Sequence, residues 1–232
     1  SEWRYRHAVI DERTLVIAVA QSGETIDTLA AMKEARARGA HVLAVTNVMG
    51  SQMTRECDSV LYRRAGLEIG VAASKTFTAQ VTLMYLLALK MGLIRGTIDA
   101  TRADALLEQV RDLPDLARRT LDRRDRVEPI ADRYFQNEFF LYLGRNMGLP
   151  IALEGALKLK EISYIATDAY AAGEMKHGPI ALLDEQTPVV VIATDSHVYE
   201  KVVSNIQEVR ARGAHVIAVA TEGNESIKEL AE

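Results

Sequence analysis

The sequence predicts an α/β fold made of two tandem lobes, each a parallel sheet flanked by helices. Apolar runs without alternation, such as Leu15–Ala20 and Val189–Ala193, are typical of strands buried on both faces of a parallel sheet. These strands alternate with helical patterns and are joined by short turns, which favours a doubly wound arrangement. An internal repeat provides the third observation.

The repeat joins two segments that lie 174 residues apart. The segment 34–46 reads EARARGAHVLAVT and the segment 208–220 reads EVRARGAHVIAVA, with ten of thirteen positions identical. The same offset places Leu15–Val19 over Val189–Ala193, so that two strands and the helix between them recur. Two copies of one unit predict two lobes of the same fold. We assign residues 1–96 to the first lobe, 97–135 to a helical connector and 136–232 to the second lobe.

In the first lobe, residues 1–11 are rich in aromatic and arginine residues, and we interpret them as a short strand or edge segment. Apolar periodicity and terminal glycines predict two helices. One ends at Gly39, and the other is a long apolar helix that leads to Gly92 and Gly96. The remaining elements are predicted in the order strand 15–20, helix 25–38, strand 42–46, strand 59–62, loop 66–71 and helix 74–91.

The connector is dense in Asp, Glu and Arg, and its period is helical. We expect its helices to break at Pro114 and Pro129, and its charges to form solvated faces. The second lobe begins with a strand at 139–143 and a glycine-containing turn at 144–148. A helix follows near Pro150 and runs to about residue 165. Strands at 189–193 and 216–220 enclose another helix, and the chain then stops.

Composition is that of a soluble globular protein, with 48% hydrophobic and 26% charged residues. The net charge of −4 argues against a broad nucleic-acid or anionic-membrane surface. Cys57 is the only cysteine, which excludes internal disulfides and fits a reducing compartment. The longest apolar stretch, Val81–Leu89, is too short to span a bilayer and no signal peptide opens the chain, so we expect a cytoplasmic protein.

The turn Gln21-Ser22-Gly23-Glu24-Thr25 has the composition of an anion site. It joins a buried strand to a helix start, where unsatisfied N–H groups and the helix dipole point at whatever occupies the turn. Its hydroxyls can donate further hydrogen bonds, and Gly23 permits close approach of the backbone. The alternative is that Ser22 or Thr25 simply caps the helix.

The corresponding turn of the second copy differs in chemistry. We align it as Asp195-Ser196-His197-Val198-Tyr199, which lacks the glycine and carries an acid. We therefore expect this turn to reject a phosphate and the chain to hold one anion site.

Three charged residues lie on one face of the helix that begins near Ile151, namely Glu154, Lys158 and Glu161. Such a pattern is often a solvent-exposed salt-bridge ladder. The other residues of this helix are largely apolar, so a partly desolvated carboxylate–lysine pair for proton transfer is the other interpretation. His177, beside Gly178-Pro179, is either an acid–base residue or incidental.

Several classes of site are missing from the sequence. No G-x-G-x-x-G follows a strand, no Walker P-loop occurs, and no Cys/His cluster indicates a metal. We therefore expect neither a dinucleotide cofactor nor a metal ion.

Four segments carry a resemblance to a known family: QSGETIDTL at 21–29, EIGVAASKTFT at 68–78, ALEGALKLKEISY at 152–164 and AAGEMKHGP at 171–179. They closely resemble the isomerase half of the glutamine–fructose-6-phosphate aminotransferases (isomerizing), the glucosamine-6-phosphate synthase family. That half consists of two tandem sugar-isomerase (SIS) domains, which agrees with the repeat. The first motif is general to SIS domains, whereas the helix motif and the Lys-His-Gly-Pro loop are more specific.

For the binding residues, the resemblance implies that Gln21, Ser22 and Thr25, around Gly23, hold a sugar phosphate. The backbone near Val71 would line the sugar. The implied substrate is fructose 6-phosphate, the nitrogen arrives as ammonia from glutamine, and the product is glucosamine 6-phosphate, an amino-sugar precursor of UDP-N-acetylglucosamine. No cofactor or metal is implied.

For the catalytic residues, the resemblance implies that Glu161 moves a proton between C1 and C2. Lys158 would assist at a sugar hydroxyl, and His177 would open the hexose ring from a neighbouring subunit. The implied partners are a second copy of the chain and a glutaminase domain.

The sequence also departs from the family pattern. Ala20 stands where members often have a serine, so one phosphate hydroxyl is missing. The first lobe lacks the opening strand and helix found at 139–165, and the C-terminal tail with its Schiff-base lysine is not present. We therefore expect a fragment that binds sugar phosphate weakly and does not turn over. A stand-alone double-SIS isomerase, an amino-sugar-phosphate deaminase and an amino-sugar-phosphate sensor remain as alternatives.

Overall fold

The computed structural model describes residues 2–231, and its chain divides into two compact units, Ser1–Pro114 and Asp115–Glu232. Each unit is built on a parallel sheet flanked by helices, so the predicted fold class is confirmed. The division falls within the predicted connector, whose first helix belongs to the first unit.

The sheet of the first unit has the strand order β1-β2-β3, with all neighbours parallel. Its strands are β1 (Leu15–Val19), β2 (His41–Thr46) and β3 (Ser59–Tyr62). The central strand β2 is buried at every position after His41, as expected for a strand covered on both faces. The core of the unit combines this strand with Leu29, Met32 and Met53 from the helices.

Five helices accompany this sheet: α1 (Glu2–Tyr5), α2 (Ile26–Ala37), α3 (Gln52–Glu56), α4 (Lys75–Arg95) and α5 (Ala100–Arg111). The predicted strand within residues 1–11 is wrong, because residues 2–5 form α1; Ser1 lies outside the described residues. Glu2 in the first turn and Arg4 in the last complement the helix dipole, and Arg4 pairs with Glu34 of α2 at 3.5 Å. The short helix α3 was not predicted.

The helix α4 is longer than the apolar run at its centre suggests. It has 21 residues and a mean hydropathy of 1.5 over its most apolar window, of which only 6% is buried. Among the described residues it is the one helix whose length and composition would allow it to cross a membrane, whereas the run Val81–Leu89 alone is too short. A single such helix is weak evidence for a membrane span. Gly92 lies inside the helix, and Gly96 ends it with φ +66°.

The connector continues as α6 (Leu113–Leu121) and α7 (Arg124–Tyr134). A break occurs next to Pro114, as predicted, because proline is tolerated in a first helical turn. The break predicted at Pro129 is wrong, since this residue lies inside α7. Its missing N–H leaves the carbonyl of Asp125 without a helical donor, and Asp125 is exposed, so that water can replace the lost bond.

The sheet of the second unit has the order β5-β4-β6-β7, again with parallel neighbours. Its strands are β4 (Phe139–Gly144), β5 (Ala166–Ala171), β6 (Pro188–Ala193) and β7 (His215–Ala220). The chain passes from β4 to β5 on one side and then to β6 on the other. The crevice between the carboxyl ends of β4 and β6 is therefore a topological switch point.

The helices of the second unit are α8 (Gly148–Ser163), α9 (Tyr199–Arg210) and α10 (Glu225–Lys228), with 3₁₀ turns at Ala172–His177 and Pro179–Leu182. The strand β5 and the helix α10 were not predicted. The core lies between the central strands and α9, where Leu141, Val191 and Ile206 are fully buried.

The repeat appears as β1–α2–β2 in the first unit and β6–α9–β7 in the second. Leu15 pairs with His41, and Pro188 pairs with His215. The two histidines are 174 residues apart, but Leu15 and Pro188 are 173 apart. The alignment of Leu15–Val19 with Val189–Ala193 is therefore wrong by one residue. The second copy therefore has one more residue than the first between the start of its first strand and the start of its second strand. The turn between β6 and α9 spans 194–198.

The repeat also extends to the turns that precede β1 and β6, at Asp11–Thr14 and Asp184–Thr187. In each, the threonine hydroxyl donates to the aspartate Oδ1, at 2.9 and 2.7 Å, and accepts from the aspartate N–H, at 3.1 and 3.2 Å. These threonine hydrogen bonds lower the pKa of Asp11 and of Asp184 below the usual value.

Candidate functional site

The turn Gln21–Thr25 lies at the carboxyl end of β1, immediately before α2. Its shape depends on Gly23, which has φ +69°. A Cβ at this position would lie 2.2 Å from the Ser51 Oγ. Both the backbone conformation and the available space therefore require glycine.

Neither hydroxyl of this turn caps α2. Thr25 is the N-cap residue, with extended backbone, but its side chain makes no capping hydrogen bond. The Ser22 Oγ accepts a hydrogen bond from the Glu24 N–H at 3.2 Å, within the turn itself. The capping interpretation is therefore wrong, and the arrangement keeps the features of an anion site at a helix N-terminus.

The turn is held in place by the segment that follows β2. The Gln21 carbonyl accepts from the Asn47 N–H at 3.2 Å and from the Thr46 Oγ1 at 3.3 Å. The Gly23 carbonyl accepts from the Met53 N–H at 3.0 Å. These bonds hold the backbone of the turn against the segment that follows β2, so the shape of the turn does not depend on a ligand.

Sequence reasoning missed Arg63, which follows β3. Its guanidinium donates to the Ala20 carbonyl at 2.9 Å, directly before the turn, and to the Gln80 Oε1 of α4 at 2.6 Å. Burial lowers the pKa of Arg63, and the charge of Glu68 opposes that shift. This residue places positive charge beside the turn. Its position one residue after a parallel strand was the signal available in the sequence.

Val71 lies in the loop between β3 and α4, and its side chain is 87% exposed. In the same loop, the Glu68 carboxylate accepts from the Thr76 N–H at 2.9 Å and the Thr76 hydroxyl at 2.6 Å. These bonds lower the pKa of Glu68 and anchor the start of α4.

In the second unit, α8 brings its three charged residues into contact. The Lys158 Nζ lies 2.6 Å from the Glu161 Oε2 and 3.3 Å from the Glu154 Oε1. Their side chains are only 22–28% exposed, so the cluster is not a fully solvated ladder. Burial alone would lower the pKa of Lys158, but its hydrogen bonds to Glu161 and Glu154 outweigh that effect and raise it.

The apolar residues of α8 differ from the expectation that they would be covered. Ala152 and Ala156 are buried, but Ile151, Leu153, Leu157 and Ile162 are 43–70% exposed. Close packing occurs on one side only, where a Cβ at Gly155 would lie 3.0 Å from the Tyr142 ring.

His177 ends a 3₁₀ turn and is not part of α8. Its side chain is 76% exposed, and its Nε2 lies 3.9 Å from the Glu174 Oε2. The following Gly178 has φ +136°, a conformation that favours glycine. His177 is thus presented on a turn whose backbone is locally constrained.

The turn of the second copy, 194–198, lines a cavity of about 80 Å³ at the switch point between β4 and β6, together with Arg145 and Asn146. Its acid, Asp195, accepts from the Asn224 side chain at 3.3 Å, and its N–H donates to the Thr221 hydroxyl at 2.9 Å. Arg145 donates to the Asn205 Oδ1 at 3.0 Å. The acid of this turn is therefore engaged with the segment that follows β7.

Within residues 2–231, no group of three or more His, Cys, Asp or Glu side chains has the geometry of a metal site.

A duplicated parallel α/β architecture with a glycine-centred turn at the carboxyl end of a strand defines a class of anion-binding proteins. A family model described as "SIS domain" matches residues 1–90 and 137–232. The chain belongs to the SIS domain family.

The chain is similar to curated proteins named glutamine–fructose-6-phosphate aminotransferase [isomerizing]. Identity is 56% over all 232 residues to the protein of Thermus thermophilus and 54% over 220 residues to that of Methanosarcina acetivorans. The chain spans 38% and 36% of the length of these two relatives.

Among solved structures, the chain is similar to the C-terminal domain of glucosamine-fructose-6-phosphate aminotransferase from Francisella tularensis. The TM-score is 0.94 at 34% identity, and the match covers all of this chain and 65% of that one. It also shares its fold with a glucosamine-6-phosphate deaminase from Thermotoga maritima, with a TM-score of 0.76 at 24% identity and coverage of 95% of this chain and 65% of that one.

Proposed function

We propose that the chain is part of the isomerase half of a glutamine–fructose-6-phosphate aminotransferase, an enzyme that converts fructose 6-phosphate and glutamine-derived ammonia to glucosamine 6-phosphate. The observation that carries the proposal is the Gln21–Thr25 turn, in which neither hydroxyl is used to cap α2. The names of relatives that match along the whole chain support fructose 6-phosphate as the sugar phosphate.

The first unit contributes substrate binding. Gln21, Ser22 and Thr25 hold the phosphate around Gly23, and the backbone near Val71 lines the sugar. The positive charge of Arg63 beside the turn supports this assignment, because it favours a dianion.

The second unit contributes proton transfer. Glu161 moves the proton between C1 and C2, and Lys158 assists at a sugar hydroxyl. The contact of 2.6 Å between these two groups, in a half-buried position, supports the assignment. His177 opens the hexose ring, and its exposed position fits a role toward a neighbouring copy in a homodimer.

The proposal extends to the complete protein. A glutaminase domain supplies the ammonia, the product enters amino-sugar synthesis toward UDP-N-acetylglucosamine, and the enzyme works in the cytoplasm without a cofactor.

The test is the Michaelis constant of the complete protein for fructose 6-phosphate, measured for Ser22→Ala and Thr25→Ala. Each variant loses a hydrogen bond to a charged group, so we expect KM to rise roughly tenfold while kcat stays within about twofold. Ser196→Ala, in the turn of the second copy, is the matched control and should leave KM unchanged. An unchanged KM in both first-turn variants would overturn the proposal.

A further inference from the structure

The acid of the first-copy turn, Glu24, presents an electrostatic conflict. It lies between Ser22 and Thr25, where a carboxylate facing the occupant would repel a phosphate. The structure directs this carboxylate elsewhere, because the Glu24 Oε1 accepts a hydrogen bond from the Gln52 N–H at 2.7 Å. This distance lies at the short end of the range for N–H···O hydrogen bonds.

The recipient of this contact is the start of α3, which depends on the turn for its capping. Ser51 is the N-cap residue of α3, but its side chain makes no capping bond. Its Oγ is instead buried without a hydrogen-bond partner, in the space that a side chain at position 23 would occupy. Glu24 and the Gly23 carbonyl satisfy the N–H groups of Gln52 and Met53 in its place.

Two hydrogen bonds from consecutive residues therefore tie the turn to α3, one through the backbone of Gly23 and one through the side chain of Glu24. We propose that Glu24 is a positioning residue for the phosphate-binding turn, which acts through its hydrogen bond to the Gln52 N–H and not through its charge. This inference rests on the proposed function of the turn.

The same use of an acid recurs in this unit. Glu68 lies in the loop before α4 and accepts hydrogen bonds from the N–H and hydroxyl of Thr76 at the start of that helix. Both carboxylates are thus turned toward the N–H groups of a helix start.

The chain offers a matched set of variants for the test. Glu24→Ala removes the acceptor, whereas Glu24→Gln keeps an acceptor oxygen without the charge. Gln52→Pro removes the N–H donor together with the Gln52 side chain. Proline is favourable at a first helical position, and Ser51 has the extended backbone (φ −65°, ψ 163°) that a residue before proline requires. Gln52→Ala keeps the N–H and controls for loss of the Gln52 side-chain bond to Glu56.

In the complete protein, we expect Glu24→Ala and Gln52→Pro each to raise the KM for fructose 6-phosphate and the inhibition constant for inorganic phosphate about tenfold, with kcat within about twofold. Glu24→Gln and Gln52→Ala should stay within about threefold of the unaltered protein. The double variant Glu24→Ala/Gln52→Pro should bind fructose 6-phosphate no more weakly than either single variant, because both substitutions remove the same hydrogen bond. A general loss of stability would not produce this rescue pattern with an unchanged kcat.

Two results would overturn the inference. Equal impairment by Glu24→Gln and Glu24→Ala would show that the hydrogen bond to the Gln52 N–H is not what matters. Tighter phosphate binding by both Glu24 variants would show that the carboxylate acts as a charge toward the ligand.

If Glu24→Ala does not fold, the comparison of Gln52→Pro with Gln52→Ala decides the question. Ser22→Ala and Thr25→Ala separate the two proposals, because an unchanged KM in both of these variants rejects the binding function itself.

Discussion

The two copies of the repeat share a frame and differ at the turn that the frame supports. Each copy enters its first strand through the same Asp–Thr turn, and each passes through a 12-residue helix to a second strand that begins with histidine. Between its first strand and its helix, the first copy has a turn around Gly23, whereas the turn of the second copy, 194–198, has no glycine.

If the proposed function holds, the difference separates the part of the repeat that builds the fold from the part that binds the ligand. In the second copy, Asp195 is engaged with Asn224 and Thr221. In the first copy, the N–H groups of Asn47 and Met53 hold the backbone of the turn, and neither the Ser22 nor the Thr25 hydroxyl caps α2. The second copy loses the glycine and gains an acid in this turn, while the strands on either side keep their pairing.

The largest effect that we expect tests the division of roles between the two units. Glu161→Gln in the complete protein should lower kcat by about 10²- to 10⁴-fold, as is typical when a general acid–base group is removed. The affinity for glucosamine 6-phosphate, measured by calorimetry, should change little. Glu154→Gln, on the same face of α8, is the control and should retain most of the activity. A kcat that survives Glu161→Gln would contradict the role of Glu161 in proton transfer.

Gly23→Ala should have the next largest effect, because the added Cβ meets the Ser51 Oγ and the backbone has positive φ. We expect the free energy of unfolding to fall by about 2–4 kcal/mol in chemical denaturation, with loss of sugar-phosphate binding. The double variant Gly23→Ala/Ser51→Gly should recover part of the stability, since it removes the collision but not the backbone strain. A Gly23→Ala protein that binds normally would contradict the importance of this turn.

The shared entry turns allow a prediction about pH. Thr14→Val and Thr187→Val should each raise the pKa of the adjacent aspartate toward its usual value of 3.8, as followed by NMR titration. A lowered aspartate pKa stabilises the folded state at pH values above the usual pKa, and this stability is lost as the pH falls through the folded-state pKa. Both variants should therefore lose less stability on acidification. The pKa of Asp11 should stay further below its usual value than the pKa of Asp184, because the Arg13 side chain also donates a hydrogen bond to Asp11. Equal residual pKa values would contradict this contribution from Arg13.

The smallest effect is expected in the second turn. Asp195→Asn keeps an acceptor for the Asn224 side chain, so both KM and the free energy of unfolding should change little, by less than about 0.5 kcal/mol for the latter. A marked gain in phosphate affinity at a second site, measured by calorimetry, would show that the acid alone prevents binding there. That outcome would show that the missing glycine is not what prevents binding there.

Much of the architecture was predictable from local patterns. The unalternated apolar run of β1, the glycine after α2 and the repeated RARGAHV segment each encode their structure within a few residues. The turn at 21–25 was also visible, because a glycine and two hydroxyls between a strand and a helix start have a direct physical meaning. The three charges of α8 follow from helical spacing, although their partial burial does not.

Other features depended on partners that are distant in the chain. The strand β5 reads ATDAYA, which has no apolar run, and it forms because β4 offers an unpaired edge. The one-residue shift between the copies could not be seen within an apolar run, since every position there looks alike. Arg63 meets Ala20 across 43 residues.

By itself, the sequence determined the class of fold, its duplication and the single glycine-centred turn, because hydrophobic period and turn chemistry are local properties. Only the tertiary structure decided the direction of the Glu24 carboxylate, since its hydrogen-bond partner lies 28 residues away on a helix that the pattern did not predict. The physical reason is that a side chain's role is set by the groups that surround it, and the pairing of strands determines which groups those are.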